Sequence, residues 1–266
     1  MRKKADMATY RSEAIVLRKR DTREYDQVVT LFTREKGKVE LIVKGARKIG
    51  SKMAGHLEPF GMVDVMVAQG KVQDRIAGTK LLENFPNLKS NLESIALSVY
   101  FNEAVDSIIH GNQSDPKVFA LILEAYYSID QYVLRNKHSA NIHDQVLIAL
   151  SYILKLCASQ GFAPVFNACF YCKNAVKEEK NFISDQHLSI VCPLCRQKEQ
   201  SLYPISVTAL KVLRLINQKT LSTIKIKNLD PVISSEVRKI VNSFILMISE
   251  RQMFSYSFLS KLIVNN

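Results

Sequence analysis

Cys169, Cys172, Cys192 and Cys195 form two C-x-x-C pairs with 19 residues between them. A C-x-x-C pair sets two thiolates on one tight turn, and two such turns supply a tetrahedral four-sulfur set, which is the donor set zinc prefers. The competing readings are a redox dithiol, paired disulfides, or cysteines buried by chance; the spacing favours a zinc ribbon. Four thiolates fill the shell of one Zn2+ and leave no position for water or substrate, so the metal would be structural. Cys157, twelve residues earlier in an apolar periodic stretch, reads as a small core residue rather than a fifth ligand.

Other chemistry is harder to find. His56-Leu57-Glu58 matches the H-x-E half of the nucleobase deaminase signature, but Ala168 and Val191 stand where that signature needs proline before C-x-x-C. There is no Walker A sequence, no G-x-G-x-x-G after a strand and no G-x-S-x-G elbow. Apart from that H-x-E, His56, His110, His138, His143 and His187 show no spacing suited to a metal or a triad. The expectation is a protein that binds and rearranges its partners, not an enzyme.

The net charge of +12 and pI near 9.4 point to polyanions. Residues 1–80 hold 18 Lys and Arg against 10 Asp and Glu, a balance of +8, which leaves +4 for the rest. Arg18, Lys19, Arg20 and Arg23 follow one predicted strand; Lys44, Arg47, Lys48 and Lys52 follow another; Arg34, Lys36 and Lys38 flank a hairpin. Cations in such loops track phosphates, and aromatics stack on bases; Tyr10, Tyr25, Phe32 and Phe60 are available.

These residues need elements to place them. Val39, Leu41 and Val43, then Val63, Val65 and Val67, alternate at the period of a strand. Tyr10–Leu17, Val28–Thr33 and Val72–Leu82 complete five candidate strands, with hairpin turns at Gly37 and Gly70. Five short antiparallel strands predict a small barrel, and the OB-fold is the five-stranded barrel that commonly binds oligonucleotides. After Pro86 the period changes to that of a helix, as in Leu97, Phe101, Ala104, Val105 and Ile108, or Val146, Leu150, Ile153 and Cys157. Asp115-Pro116 and Asp230-Pro231 read as helix starts. The predicted class is multi-domain α+β: an N-terminal OB barrel over 1–84, then a helical domain over 85–266 with a zinc ribbon inserted at about 165–200. No window nears 18 uninterrupted apolar residues, and Met1–Met7 lacks a signal-peptide core, so a cytoplasmic, reducing compartment is expected.

Tyr10-Arg-Ser-Glu-Ala-Ile-Val-Leu17, Val43-Lys-Gly-Ala-Arg47, Leu57-Glu-Pro-Phe60 and Gly161-Phe-Ala-Pro164 occur in an order that resembles the bacterial recombination mediator family RecO. Together with the cysteine pairs, the resemblance covers nearly the whole chain and matches the zinc-retaining branch. It implies an OB domain, a helical domain, binding to single- and double-stranded DNA, and strand annealing. It also implies partnership with RecR and with the C-terminal tail of the single-stranded-DNA-binding protein SSB, to load recombinase onto gapped DNA, and a cytoplasmic, nucleoid-associated location. The tail would suit an apolar groove of the helical domain with a Lys or Arg at its rim.

Overall fold

In the computed structural model, which describes residues 8–109, 111, 113–136, 141–224 and 229–264, the period-two segments form strands. β1 (Thr9–Asp21), β2 (Gln27–Thr33), β3 (Gly37–Val43), β4 (Met62–Ala68) and β5 (Arg75–Glu83) close into a barrel in the order β1-β2-β3-β5-β4. β1 pairs antiparallel with β2 on one side and β4 on the other, and a parallel step at Ile42 and Arg75 joins β3 to β5. This is the five-stranded OB barrel. The alternating residues Ala14, Val16, Val29, Leu31, Leu41, Val43, Val63, Val65 and Val67 fill its interior. Gly37 turns the β2–β3 hairpin with φ of +63°, and a Cβ there would meet the Gln113 carbonyl oxygen at 2.0 Å, so only glycine fits.

Three local expectations need correction. β1 runs on to Asp21, so Arg18, Lys19 and Arg20 lie within the strand and not after it. Val72 is fully exposed, and β5 begins only at Arg75, because Gln69–Asp74 closes a loop in which Gly70 N–H donates to Asp74 Oδ1 at 3.0 Å. Between β3 and β4 the chain also makes a short helix, α1 (Lys52–His56), which no periodicity announced.

Two compact units result: residues up to Pro86 with Ile109–Leu123, and Asn87–Ile108 with the chain from Glu124 onward. In the first, Ser114 Oγ donates to the Arg34 carbonyl at 2.7 Å. The helices are α2 (Leu92–Ile108), α3 (Pro116–Arg135), α4 (Ile142–Ser159), α5 (Val207–Gln218), α6 (Pro231–Ser249) and α7 (Phe254–Val264). α4 is the hub, packing on α2, α5 and α6, and its Val146, Leu150, Ile153 and Cys157 are buried as expected. Among the described residues α4 is the one helix long and apolar enough to cross a membrane, yet 72% of that stretch is buried against its neighbours. Asp115 caps α3 through the Val118 N–H at 3.0 Å, and Asp230 caps α6 through the Val232 N–H at 2.7 Å. A second sheet, β6 (Val165–Cys169), β7 (Asn181–Ser184), β8 (Ser189–Val191) and β9 (Leu202–Ile205), is ordered β6-β8-β7-β9 and lies between α4 and α5 in the chain.

Candidate metal centre and nucleic-acid interface

The second sheet brings the cysteine pairs together. Cys169 ends β6, Cys192 follows β8, and the parallel β6–β8 pairing aligns the two turns. The four sulfurs lie within 4.8 Å of one another, with Cys172 and Cys192 at 3.8 Å. Cys169 and Cys195 are buried, and the other two are half-buried. Lys173 turns the first knuckle with φ of +60°, its N–H donating to the Cys169 carbonyl at 2.9 Å. The second knuckle closes as Cys195 N–H donates to the Cys192 carbonyl at 3.0 Å.

This donor set fits a cation. Burial acts to raise the Cys169 thiol, but the N–H groups of Cys172, Cys192 and Tyr171 outweigh it and bring the thiol down to about 6. Burial and then the neighbouring sulfurs push Cys195 up to about 12. Four crowded thiols cannot all ionise unaided, and a divalent ion among them removes that conflict. The cluster can therefore hold one metal ion. Burial alone pushes Cys157 up to about 12, in keeping with a core role.

The ribbon is tied to the helices by Arg214 of α5, whose guanidinium donates to the carbonyls of Phe166 at 3.0 Å and Val176 at 2.9 Å. Residues not anticipated from sequence surround the metal site. Phe170 and Tyr171 occupy the x-x positions of the first pair; His187 stacks on Phe170 at 3.7 Å and meets Tyr171 edge-on. His187 is thus a ring partner. The signal lay in the sequence as two aromatics between cysteines.

On the barrel, the expected basic residues divide into two groups. Arg18 and Arg20 share Glu40 at 2.9 and 3.6 Å, Lys19 pairs with Glu58 at 2.5 Å, Arg34 with Glu13 at 2.7 Å, and Arg47 with Asp21 at 3.4 Å. Lys38 sits half-buried in β3, and Lys36 lies 3.5 Å over the Tyr10 ring. Glu58 of the H-x-E sequence is therefore occupied by Lys19, and His56 Nδ1 faces the Thr79 carbonyl at 3.2 Å. Arg23, Lys44 and Lys48 are exposed, with no carboxylate within ion-pair reach among the described residues. The Lys52 side chain, His110 and His138 lie outside the described residues.

The three unpaired cations sit on two loops that are knitted together. Arg47 N–H donates to the Tyr25 carbonyl at 3.1 Å, Arg47 Nη1 to the Glu24 carbonyl at 3.3 Å, and Gly45 N–H to Asp26 Oδ1 at 2.8 Å. Lys48 stands 5.7 Å from the Tyr25 ring, which is half exposed. Of the four aromatics considered for stacking, Phe32 is barrel core, Tyr10 and Phe60 are half-buried, and Tyr25 alone is exposed.

The helical unit offers two further surfaces. A groove of about 470 Å³ is walled by Tyr127, Tyr132, Ile148 and Leu221, and carries Glu124 and Asp144 beside Arg135. On α7, Phe254 and Phe258 are exposed one turn apart, with Lys261 following on the same face. Glu103 of α2 anchors that helix, accepting from the N–H groups of Phe254 at 2.9 Å and Ser255 at 2.7 Å.

Comparison with known proteins accounts for both halves. Residues 7–85 match the family model described as recombination protein O N terminal, and residues 89–253 match recombination protein O C terminal. Proteins named DNA repair protein RecO are similar along nearly their whole lengths. That of Dehalococcoides mccartyi is 28% identical over 91% of this chain and 92% of its own. That of Roseiflexus sp. is 28% identical over 94% and 84%, and that of Pelotomaculum thermopropionicum is 27% identical over 96% and 95%.

Proposed function

Because the chain belongs to the RecO family of DNA repair proteins, we propose that it is a recombination mediator that binds single- and double-stranded DNA and anneals complementary strands. In this reading residues 1–84 are the nucleic-acid-binding domain, and residues 85–266 the helical domain, with its ribbon at about 165–200. The protein acts with RecR to bring recombinase onto gapped DNA in the cytoplasm, and it catalyses no covalent step.

The ridge of Arg23, Lys44 and Lys48 around exposed Tyr25 carries the DNA-binding reading. It stands on the β1–β2 loop and the loop after β3, and loops between OB strands are where such barrels grip a strand. Two complementary strands repel one another, and this cluster of cations screens that repulsion without a nucleotide. Cys169, Cys172, Cys192 and Cys195 would hold one zinc, which supplies a rigid cross-link between two turns and leaves no position open for catalysis.

Strands coated with SSB must also be reached. An acidic, apolar SSB tail suits the α7 face, where Phe254 and Phe258 are followed by Lys261; the Glu124 and Asp144 groove would repel it. A strand-annealing assay without nucleotide tests the whole reading. Complementary strands coated with SSB should anneal, and SSB lacking its last several residues should abolish that while annealing of bare DNA persists. Failure to anneal bare strands would overturn the mediator reading. Equal annealing on tail-less and intact SSB would remove the tail from it.

A further inference from the structure

The ribbon's cations differ in one respect from those of β1. Lys173, Arg196 and Lys198 are exposed and have no carboxylate within ion-pair reach among the described residues. Each instead lies over an aromatic ring: Lys173 at 4.6 Å from Phe170, Lys198 at 5.6 Å from Tyr171 and Arg196 at 4.9 Å from Phe182. A ring holds a cation in place without neutralising it. Glu199, next to Lys198 in the chain, accepts from Tyr171 O–H at 3.2 Å and Ser184 Oγ at 2.8 Å, so its carboxylate is held by hydroxyls and forms no ion pair with the lysine.

Lys173, Phe170, Tyr171 and Lys198 therefore form one continuous row. The two rings meet edge to face at 5.1 Å, and His187 backs them both. On the second knuckle Leu194 is 94% exposed, an apolar side chain in water at a tip that core packing does not explain. Point cations flanking aromatic and apolar side chains at a projecting edge are the surface on which a flexible strand lays phosphates and bases.

We infer that the ribbon carries a second contact for a single-stranded nucleic acid, with Lys173 and Lys198 on phosphates and Tyr171 and Leu194 against bases. The inference rests on the DNA-binding reading above and extends it. An annealing factor handles two strands, and a contact on the ribbon in addition to the barrel ridge supplies a second set of groups to hold them.

The chain has no tryptophan, so Tyr171→Trp puts a single indole at the patch, and Leu194→Trp does so at a position almost wholly exposed to solvent. Each full-length, metal-loaded variant is titrated with oligo(dT) while fluorescence anisotropy of a labelled oligonucleotide records binding. The indole should be quenched as the strand binds, in both variants. Adding Lys173→Glu and Lys198→Glu should abolish the quench and flatten the salt slope of log affinity by about 1.4, at about 0.7 per single-strand phosphate. Binding that leaves both indoles unquenched overturns the ribbon contact alone. An absence of binding overturns the DNA-binding reading as well. Two further outcomes overturn the contact: polyglutamate quenching as well as oligo(dT), or the two lysine changes costing metal content while the quench persists. In the latter case the lysines merely offset thiolate charge.

Discussion

Glu40→Gln should make this protein bind DNA more tightly. Glu40 lies on β3 opposite Thr30 of β2, which in turn lies opposite Arg18 of β1, so the three side chains form a row across the barrel face. Its carboxylate holds Arg18 at 2.9 Å and Arg20 at 3.6 Å and accepts from Thr30 Oγ1 at 3.2 Å. All three charged side chains are about half exposed. Such pairs stabilise a fold by only about 0–1 kcal/mol, so the barrel should tolerate the change. Glutamine keeps an oxygen for Thr30 and takes away the carboxylate charge that Arg18 and Arg20 share, so both guanidinium groups compete more strongly for phosphates. Each single-strand phosphate contact contributes about 0.7 to the slope of log affinity against log salt, so two new contacts add about 1.4. Between 200 and 50 mM salt the advantage of the variant should then widen by about sevenfold. Anisotropy titrations with a labelled single strand at four salt concentrations measure this directly. An unchanged slope in a folded variant would show that Arg18 and Arg20 do not face the strand, and that on the barrel the ridge of Arg23, Lys44 and Lys48 carries binding.

The purified protein should contain about one zinc per chain, and Cys172→Ser should lose it together with order in 165–200 while the barrel's thermal transition persists. Zinc retention should weaken as pH falls, because protons compete for all four sulfurs; the loss should steepen below about 6, where Cys169 also takes up a proton, as a zinc-chelator titration would show. Arg214→Ala leaves the Phe166 and Val176 carbonyls without their charged donor and should destabilise the ribbon's docking on α5 by about 2 kcal/mol, read from hydrogen exchange in β6. Arg214→Lys should not restore it, since one ammonium on a flexible stem does not reproduce a planar fork. Glu103→Ala should loosen α7 and so reduce annealing of SSB-coated strands, leaving bare-strand annealing intact.

Elements that carry their own periodicity were legible in the sequence. The alternating valines of β3 and β4, the stripes of α2, α4 and α6, and the Asp-Pro caps of α3 and α6 all state their environment locally. Elements held by distant partners were not. α5 begins at Ser206, whose N–H and hydroxyl both go to Glu236 thirty residues away, and α7 begins on Glu103 across the domain. The short ribbon strands have no period long enough to read; a parallel β6–β8 pairing and two arginine bonds place them. Only the cysteines announced the module.

Charge is the case in which counting and geometry part. The excess of cations in the first 80 residues pointed to a polyanion surface, but a strand that extends to Asp21 sets Arg18 and Arg20 across from a glutamate two strands away. Sequence distance hides that neutralisation: Glu40 is twenty-two residues from Arg18 and shares no local pattern with it. Among the described residues the loop cations Arg23, Lys44 and Lys48 lack such a partner, whereas Arg47 of the same loop reaches Asp21 at the end of β1. A phosphate that approaches them displaces only water and counterions, whereas one that approaches Arg18 must also compete with Glu40. The same count assigned little to the chain beyond residue 80, whose balance of +4 conceals three ring-held cations on the ribbon. Where cations are held, and by what, decides which of them a strand can recruit; a net charge cannot resolve that.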